Sequence, residues 1–166
     1  MKIDLHSHSF YSDGVLSPSE VVKLASQAGC ELFSLTDHDT TEGSAEAKLE
    51  ADKLNLSLVH GVEISAFWRN MAIHILGLGI DINNDILQTG LEHNQKLRKE
   101  RAEKIALSLW RSGIKDALEK TQSFSKTDML TRTHFAQMLI SEGYCKDMKA
   151  VFRGYLTGKK PGGVSV

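Results

Sequence analysis

Over the first half of the chain, short apolar runs alternate with amphipathic stretches, and that alternation predicts βα units. Ile3 to His8 reads as a first strand. Ser17-Pro18-Ser19-Glu20 then opens a helix, with Ser17 as N-cap, Pro18 at N1 and Glu20 at N3. Val21, Val22, Leu24, Ala25 and Ala28 form its buried stripe, and Gly29 stops it. Leu32 to Thr36 reads as a second strand, after which Thr41 and Glu42 open a helix running to about Leu54. Leu58 to Phe67 and Ala72 to Leu78 read as strands three and four, joined at Arg69-Asn70 by a polar turn that makes a hairpin or a crossover.

From about Asn84 the strand pattern stops. Ala102, Ile105, Ala106 and Leu109 follow the i, i+3, i+4, i+7 spacing of one buried stripe, and Lys96, Lys99, Arg101, Lys104 and Arg111 make much of the remaining surface basic. Another helix starts near Thr131, with Phe135, Met138 and Leu139 inward and Gly143 as its stop. The expected organisation is a β/α part over 1–83, a helical subdomain over 84–158 and a Gly-rich segment over 159–166 that starts a return to the first part.

Composition adds limits rather than a function. In 166 residues, 41% hydrophobic and 25% charged content with two prolines is that of a folded domain, not a disordered chain. Twenty Lys+Arg against 21 Asp+Glu argue against wholesale polyanion binding and leave room for a local basic patch. Asp4 and His6 interrupt the apolar run that a signal peptide needs, and no stretch approaches the roughly 20 apolar residues of a membrane span, so a cytoplasmic protein with no membrane partner is expected. Cys30 and Cys145 lie far apart without metal or redox spacing and read as reduced thiols.

The candidate chemistry begins with His6-Ser7-His8. Strand alternation puts both imidazoles on one face, where two neutral rings grip one metal ion if a carboxylate joins them. Asp13 follows in a Ser12-Asp13-Gly14 turn, Asp37-His38-Asp39 comes directly after the second strand, Glu63 sits in the third and His74 in the fourth. Singly, each has an ordinary reading as a turn former or hydrogen-bonding group. Collected on or after successive strands, they match the way α/β barrels gather catalytic groups. Oxygen and imidazole ligands suit Mn²⁺, Zn²⁺ or Fe²⁺. Asp37 and Asp39 flank His38 and are placed to orient it or to accept a proton, and Asp39 is equally placed to cap the following helix. Alternation sends His60 to the face opposite Glu63, and His93 lies in a polar helical stretch, so both read as non-ligands.

Asp4-Leu5-His6-Ser7-His8, Ser12-Asp13-Gly14, Leu35-Thr36-Asp37-His38-Asp39, Gly61-Val62-Glu63-Ile64-Ser65 and His74-Ile75-Leu76-Gly77 resemble, in order and spacing, the successive motifs of the PHP (polymerase and histidinol phosphatase) family, nearest its stand-alone phosphoesterases. The resemblance implies an α/β fold, the N-terminal part of a distorted (β/α)₇ barrel with a helical insertion, and a centre of two or three divalent ions. It makes His6 and His8 ligands of one ion, Asp13 and His38 ligands of a second, Glu63 a bridge and His74 a holder of a third. It implies hydrolysis of phosphate esters of nucleotides or short 5′-phosphorylated RNA. A non-catalytic metal- or nucleotide-binding module and a metal-dependent amide or ester hydrolase are the competing readings.

Arg132-Thr133-His134 opens a helix, where N–H groups favour an anion. It resembles an Arg-Pro-His motif of the same phosphoesterases with Thr133 in place of proline, which implies that Arg132 and His134 bind substrate phosphate. Lys159 and Lys160 read as a solvated pair. The family's further strands, its later histidine and its closing Asp-x-His pair find no counterpart here, so the end at Gly162 to Val166 reads as a cut inside a domain. An open strand edge in such a chain leads to the expectation of aggregation, of pairing with a second copy as a homodimer, or of survival on the packing of the helical part.

Overall fold

The computed structural model describes residues 1–69, 71–158 and 160–164. Asn70 of the expected turn, Lys159 of the charge pair and the final Ser165 and Val166 lie outside the described residues. The fold is mixed α/β in two compact units, Met1–Gln95 and Lys96–Val166.

In the first unit, β1 (Ile3–Asp4), β2 (Leu32–Phe33) and β3 (Ser57–Leu58) form a parallel sheet in the order β1-β2-β3. Helices α1 (Pro18–Gln27) and α2 (Ser44–Lys53) connect them. The α1 start is the expected one: the Ser17 hydroxyl accepts from the Glu20 N–H while the Glu20 carboxylate accepts from the Ser17 N–H, and Gly29 takes φ 79° past the end. Its buried face is narrower than the expected stripe. Val22 and Ala25 pack against Phe33, Leu35, Ala47, Ala51 and Leu56, whereas Leu24 is 53% exposed and Ala28 is exposed. Helix α2 begins later than expected, after Gly43, so neither Thr41, Glu42 nor Asp39 caps it.

The strands are shorter than the apolar runs because side chains share the pairing with the backbone beyond Asp4. The Ser7 N–H donates to Thr36 Oγ1, Ser7 Oγ donates to the Ser34 carbonyl and the Thr36 N–H donates to the Ser7 carbonyl. The expected third strand breaks at Val59-His60. Before the break the chain pairs with β2; after it, β4 (Gly61–Trp68) pairs antiparallel with β5 (Met71–Leu78), which makes the 69–70 connection a hairpin. Gly61 lets the chain cross Ser34 at the break, since a Cβ there would lie 2.3 Å from Ser34 Oγ. β5 is exposed along most of its length and apolar: Met71, Ile73, Ile75, Leu76 and Leu78 all reach solvent. No closed sheet forms among the described residues.

Helix α3 (Asp85–Arg111) starts where strand signals stop, and its residues through Gln95 belong to the first unit. In the second unit, Ala102, Ile105 and Leu109 of α3 join Ala117 of α4 (Ala117–Gln122), Phe135, Ala136, Met138 and Leu139 of α5 (Arg132–Ser141), and Val151 of α6 (Met148–Val151) in one core. A π-helical turn, Phe152–Leu156, continues α6 and buries Leu156 there. Among the described residues no helix is long and apolar enough to cross a membrane.

Candidate metal centre

Glu63 is the hub of the first unit's polar side chains. β4 carries it beside the segment after β2, where His38 and Glu63 form a parallel bridge. The Glu63 N–H donates to the Asp37 carbonyl, and the Asp39 N–H donates to the Glu63 carbonyl. Its carboxylate then meets four imidazoles: His6 Nε2 at 2.9 Å, His8 Nε2 at 3.1 Å and His38 Nδ1 at 3.5 Å from Oε2, and His74 Nδ1 at 2.6 Å from Oε1. Asp13 stands on the far side of two of these rings, 3.8 Å from His8 Nδ1 and 3.9 Å from His38 Nε2. Burial pushes the Glu63 carboxyl upward, but the His6 hydrogen bond, the His38 charge and the His74 contact outweigh it and hold it below the usual glutamate range.

These residues form three overlapping groups, His6/His8/Glu63, His8/Asp13/His38 and His38/Glu63/His74, in each of which the ligand atoms lie within 4.8 Å of one another. The floor is buried and the rim open: the Glu63 and His38 side chains are 7% and 11% exposed, those of His74 and His6 46% and 52%. Imidazole nitrogens and carboxylate oxygens converging at this range are the donor set of borderline divalent cations, so the residues present fit such ions.

Asp37 and Asp39 flank His38 and turn elsewhere. Asp37 Oδ1 accepts from the Ser9 N–H (2.7 Å) and the Ser12 hydroxyl (2.6 Å), and Oδ2 accepts from the Ser9 hydroxyl (2.5 Å). Burial is the leading influence and leaves its carboxyl above the usual range despite these bonds. Asp39 is fully buried at φ 52°, a left-handed conformation uncommon for a residue with a Cβ. Its Oδ1 accepts from the Ser65 N–H (2.7 Å) and from Asn94 Nδ2 (2.9 Å), and Gln95 Nε2 donates to its carbonyl (2.8 Å). Sequence reasoning missed Ser9, Ser12, Asn94 and Gln95. The only signal was a serine on each side of Phe10-Tyr11, which suits any turn as well.

His60 lies outside the three groups, with a buried Nδ1 that finds no hydrogen-bond partner among the described residues, and His93 is exposed. In the second unit, His134 is buried in a cap: its Nδ1 accepts from the Thr131 N–H while the Thr131 hydroxyl accepts from the His134 N–H. Arg132 donates to the Val164 carbonyl at 2.6 Å; burial, and then the Arg98 charge, hold its guanidinium below its usual pKa. Arg98 is itself 5% exposed, a burial that the basic pattern of α3 did not reveal.

The model of the PHP domain family matches residues 4–156. The chain is 43% identical over 164 residues to a 3′,5′-nucleoside bisphosphate phosphatase of Chromobacterium violaceum, covering 98% of this chain and 58% of that protein. It is 40% identical over 161 residues to the 5′-3′ exoribonuclease Rnm of Escherichia coli, covering 96% of this chain and 55% of that protein. The chain thus spans little more than half the length of these relatives. A solved structure from Chromobacterium violaceum, described as an amidohydrolase with bound sulfate and no metal, superposes with a TM-score of 0.96 at 42% identity over 100% of this chain and 59% of that one. A Bifidobacterium adolescentis structure described as a metal-dependent phosphoesterase shares the fold, with a TM-score of 0.89 at 24% identity over 99% of this chain and 58% of that one.

Proposed function

Because this chain belongs to the PHP domain family, we propose that it is the ligand-bearing part of a metal-dependent phosphoesterase acting on phosphate esters of nucleotides or short 5′-phosphorylated RNA. The observation that carries the reading is the single buried carboxylate of Glu63 met by four imidazoles, with Asp13 beyond two of them. In this reading His6 and His8 would hold one divalent ion, Asp13 and His38 a second and His74 a third, with Glu63 as the carboxylate that they would share and Mn²⁺, Zn²⁺ or Fe²⁺ as the candidates. Such ions would supply charge neutralisation at the phosphoryl group and activation of water near neutral pH. The buried floor fixes the ligands, and the open rim of His6 and His74 is the side from which a substrate phosphate approaches.

The nucleotide or RNA substrate is supported by the names of the two relatives. The parallel sheet and the hairpin are read as part of a distorted (β/α)₇ barrel, with residues 84–158 as its helical insertion. Arg132 and His134 enter as the contacts to substrate phosphate, Arg132 through guanidinium donors beyond the one given to Val164. A reducing, cytoplasmic setting fits the free thiols of Cys30 and Cys145. A homodimer is the assembly that would cover β5. The amidohydrolase description of the Chromobacterium violaceum structure favours one second reading, amide hydrolysis at the same ions.

Metal analysis of untagged protein, with Mn²⁺-supplemented assays on a nucleoside 3′,5′-bisphosphate, a short 5′-phosphorylated RNA and a simple amide, tests the reading. At least one bound ion per chain and release of phosphate or mononucleotide support it; metal binding with amide cleavage alone transfers it to the second reading. His38→Ala is expected to lower metal content by about one ion per chain, since a lost ligand costs at least the 10- to 100-fold in affinity that a lost supporting group does. His60→Ala is expected to leave it unchanged. Equal losses in both variants would remove His38 from the ligand set.

A further inference from the structure

The two carboxylates beside His38 pull on different parts of the molecule, and we propose that they are positioning residues: Asp37 sets the loop that carries Asp13, and Asp39 sets the strand that carries Glu63. The inference rests on the metal-centre reading for its consequence and on hydrogen bonds for its geometry.

Asp37 works on the loop between β1 and α1. Its three acceptor contacts hold both ends of Ser9–Ser12, so the residue next to Ser12, Asp13, is placed by a bond to Asp37 rather than by a strand. The loop closes on itself through the Ser12 and Gly14 N–H groups, which both donate to the Ser9 carbonyl. Gly14 is needed at this closure, because a Cβ there would lie 2.4 Å from the His8 carbonyl oxygen. Ser12 Oγ also lies 3.4 Å from His8 Nδ1, which ties the same loop to a second member of the cluster.

Asp39 works on the hairpin and on α3. One oxygen receives the Ser65 N–H, two residues along β4 from Glu63, and the Asn94 amide, which donates in turn to the Ser65 carbonyl. Strand β4 is thereby clamped at Ser65, opposite His74 on β5. His38, between the two acids, is held in register with both ligand-bearing segments.

Hydrogen bonding and proton transfer make opposite demands at these positions. Asparagine at 37 retains an oxygen for the Ser9 N–H and the Ser12 hydroxyl, and its NH₂ donates to Ser9 Oγ, since a hydroxyl accepts as readily as it donates. Asparagine at 39 retains the acceptor for Ser65 and Asn94 and tolerates the left-handed backbone better than most residues. A general base, by contrast, is abolished by either change.

The test compares Asp37→Asn, Asp37→Ala, Asp39→Asn and Asp39→Ala in the 166-residue chain, with Mn²⁺ and Zn²⁺ binding isotherms and amide hydrogen exchange as readouts beside activity. Asp37→Ala is expected to speed exchange at Ser9, Ser12 and Gly14, not at Ser65, and to weaken metal binding by about 10- to 100-fold. Asp39→Ala is expected to speed exchange at Ser65 and not at Ser12. Asp37→Asn is expected to keep wild-type exchange, metal content and pH profile, and Asp39→Asn to keep wild-type exchange at Ser65. If Asp37→Ala does not fold, Ser12→Ala, which removes one bond beside Asp13, takes its place. An asparagine variant that keeps its metal but loses turnover as fully as its alanine counterpart overturns the proposal in favour of proton transfer. Unchanged exchange in the alanine variants overturns it as well. A wild-type chain that takes up no metal defeats the metal-centre reading, while the exchange pattern still decides whether the two carboxylates position their segments.

Discussion

On the proposed phosphoesterase reading, Glu63→Gln is expected to strip the centre of metal and to lower kcat/KM on a nucleoside 3′,5′-bisphosphate by about a thousandfold, equivalent to about 4 kcal/mol of transition-state stabilisation. The size follows from position. Among the described residues, no other carboxylate contacts four histidines, and replacing one oxygen by NH₂ removes an acceptor and sets a donor against ring nitrogens that a cation also needs. Glu50 is the control. It is also buried, but it lies on α2 and is paired with Lys53 and Lys23. Glu50→Gln is expected to leave metal content and turnover unchanged. Metal analysis and steady-state kinetics on both variants check the pair, and a Glu63→Gln protein with full metal and full activity would show that the chemistry lies elsewhere.

Phe135→Ala is expected to destabilise the second unit by about 3–5 kcal/mol, the usual cost of truncating a fully enclosed aromatic ring. Phe135 has no exposed surface and belongs to a core supplied by α3, α4, α5 and α6. The ring is therefore bordered by side chains from separate helices, and a cavity there collapses poorly. Leu118→Ala, on the 39% exposed face of α4, is expected to change stability by no more than about 0.5 kcal/mol. Urea unfolding followed by circular dichroism measures both. A Phe135→Ala midpoint equal to that of Leu118→Ala would mean that the helical unit does not depend on this core.

The features that were legible in the sequence are those set by near neighbours. The Ser17–Glu20 capping box, the Gly29 stop and the Thr131 start of α5 depend on residues three or four apart, and they appear as expected. His6, His8, Asp13, His38, Glu63 and His74 could be picked out because each carries ligand chemistry on or after an apolar run, and the structure brings all six into the three groups. Where a strand stops was not legible. Leu58 to Phe67 is one apolar run, but the chain changes partner from β2 to β5 inside it, so side-chain alternation cannot be carried from His60 across to Glu63. The partners of Asp37 and Asp39 were hidden for a related reason. Ser9 and Asn94 lie 28 and 55 residues from the acids they bind, and neither type of residue announces such a contact.

The bare strand β5 sets a working limit on this chain in solution. Its sequence, Met71-Ala72-Ile73-His74-Ile75-Leu76-Gly77-Leu78, contains no lysine, arginine, acid or proline to act as a gatekeeper, and among the described residues it pairs only with β4. Among the described residues its outer edge has no strand partner, so an apolar run with Ile73 and Ile75 in it offers N–H and C=O groups as a template for cross-β growth, whose rate rises with protein concentration. Ile75, 50% exposed and one residue out of phase with His74, projects from the face away from the ligands. Ile75→Lys is accordingly expected to raise the concentration at which light scattering first appears, with metal content unchanged; an identical threshold would locate the sticky surface elsewhere.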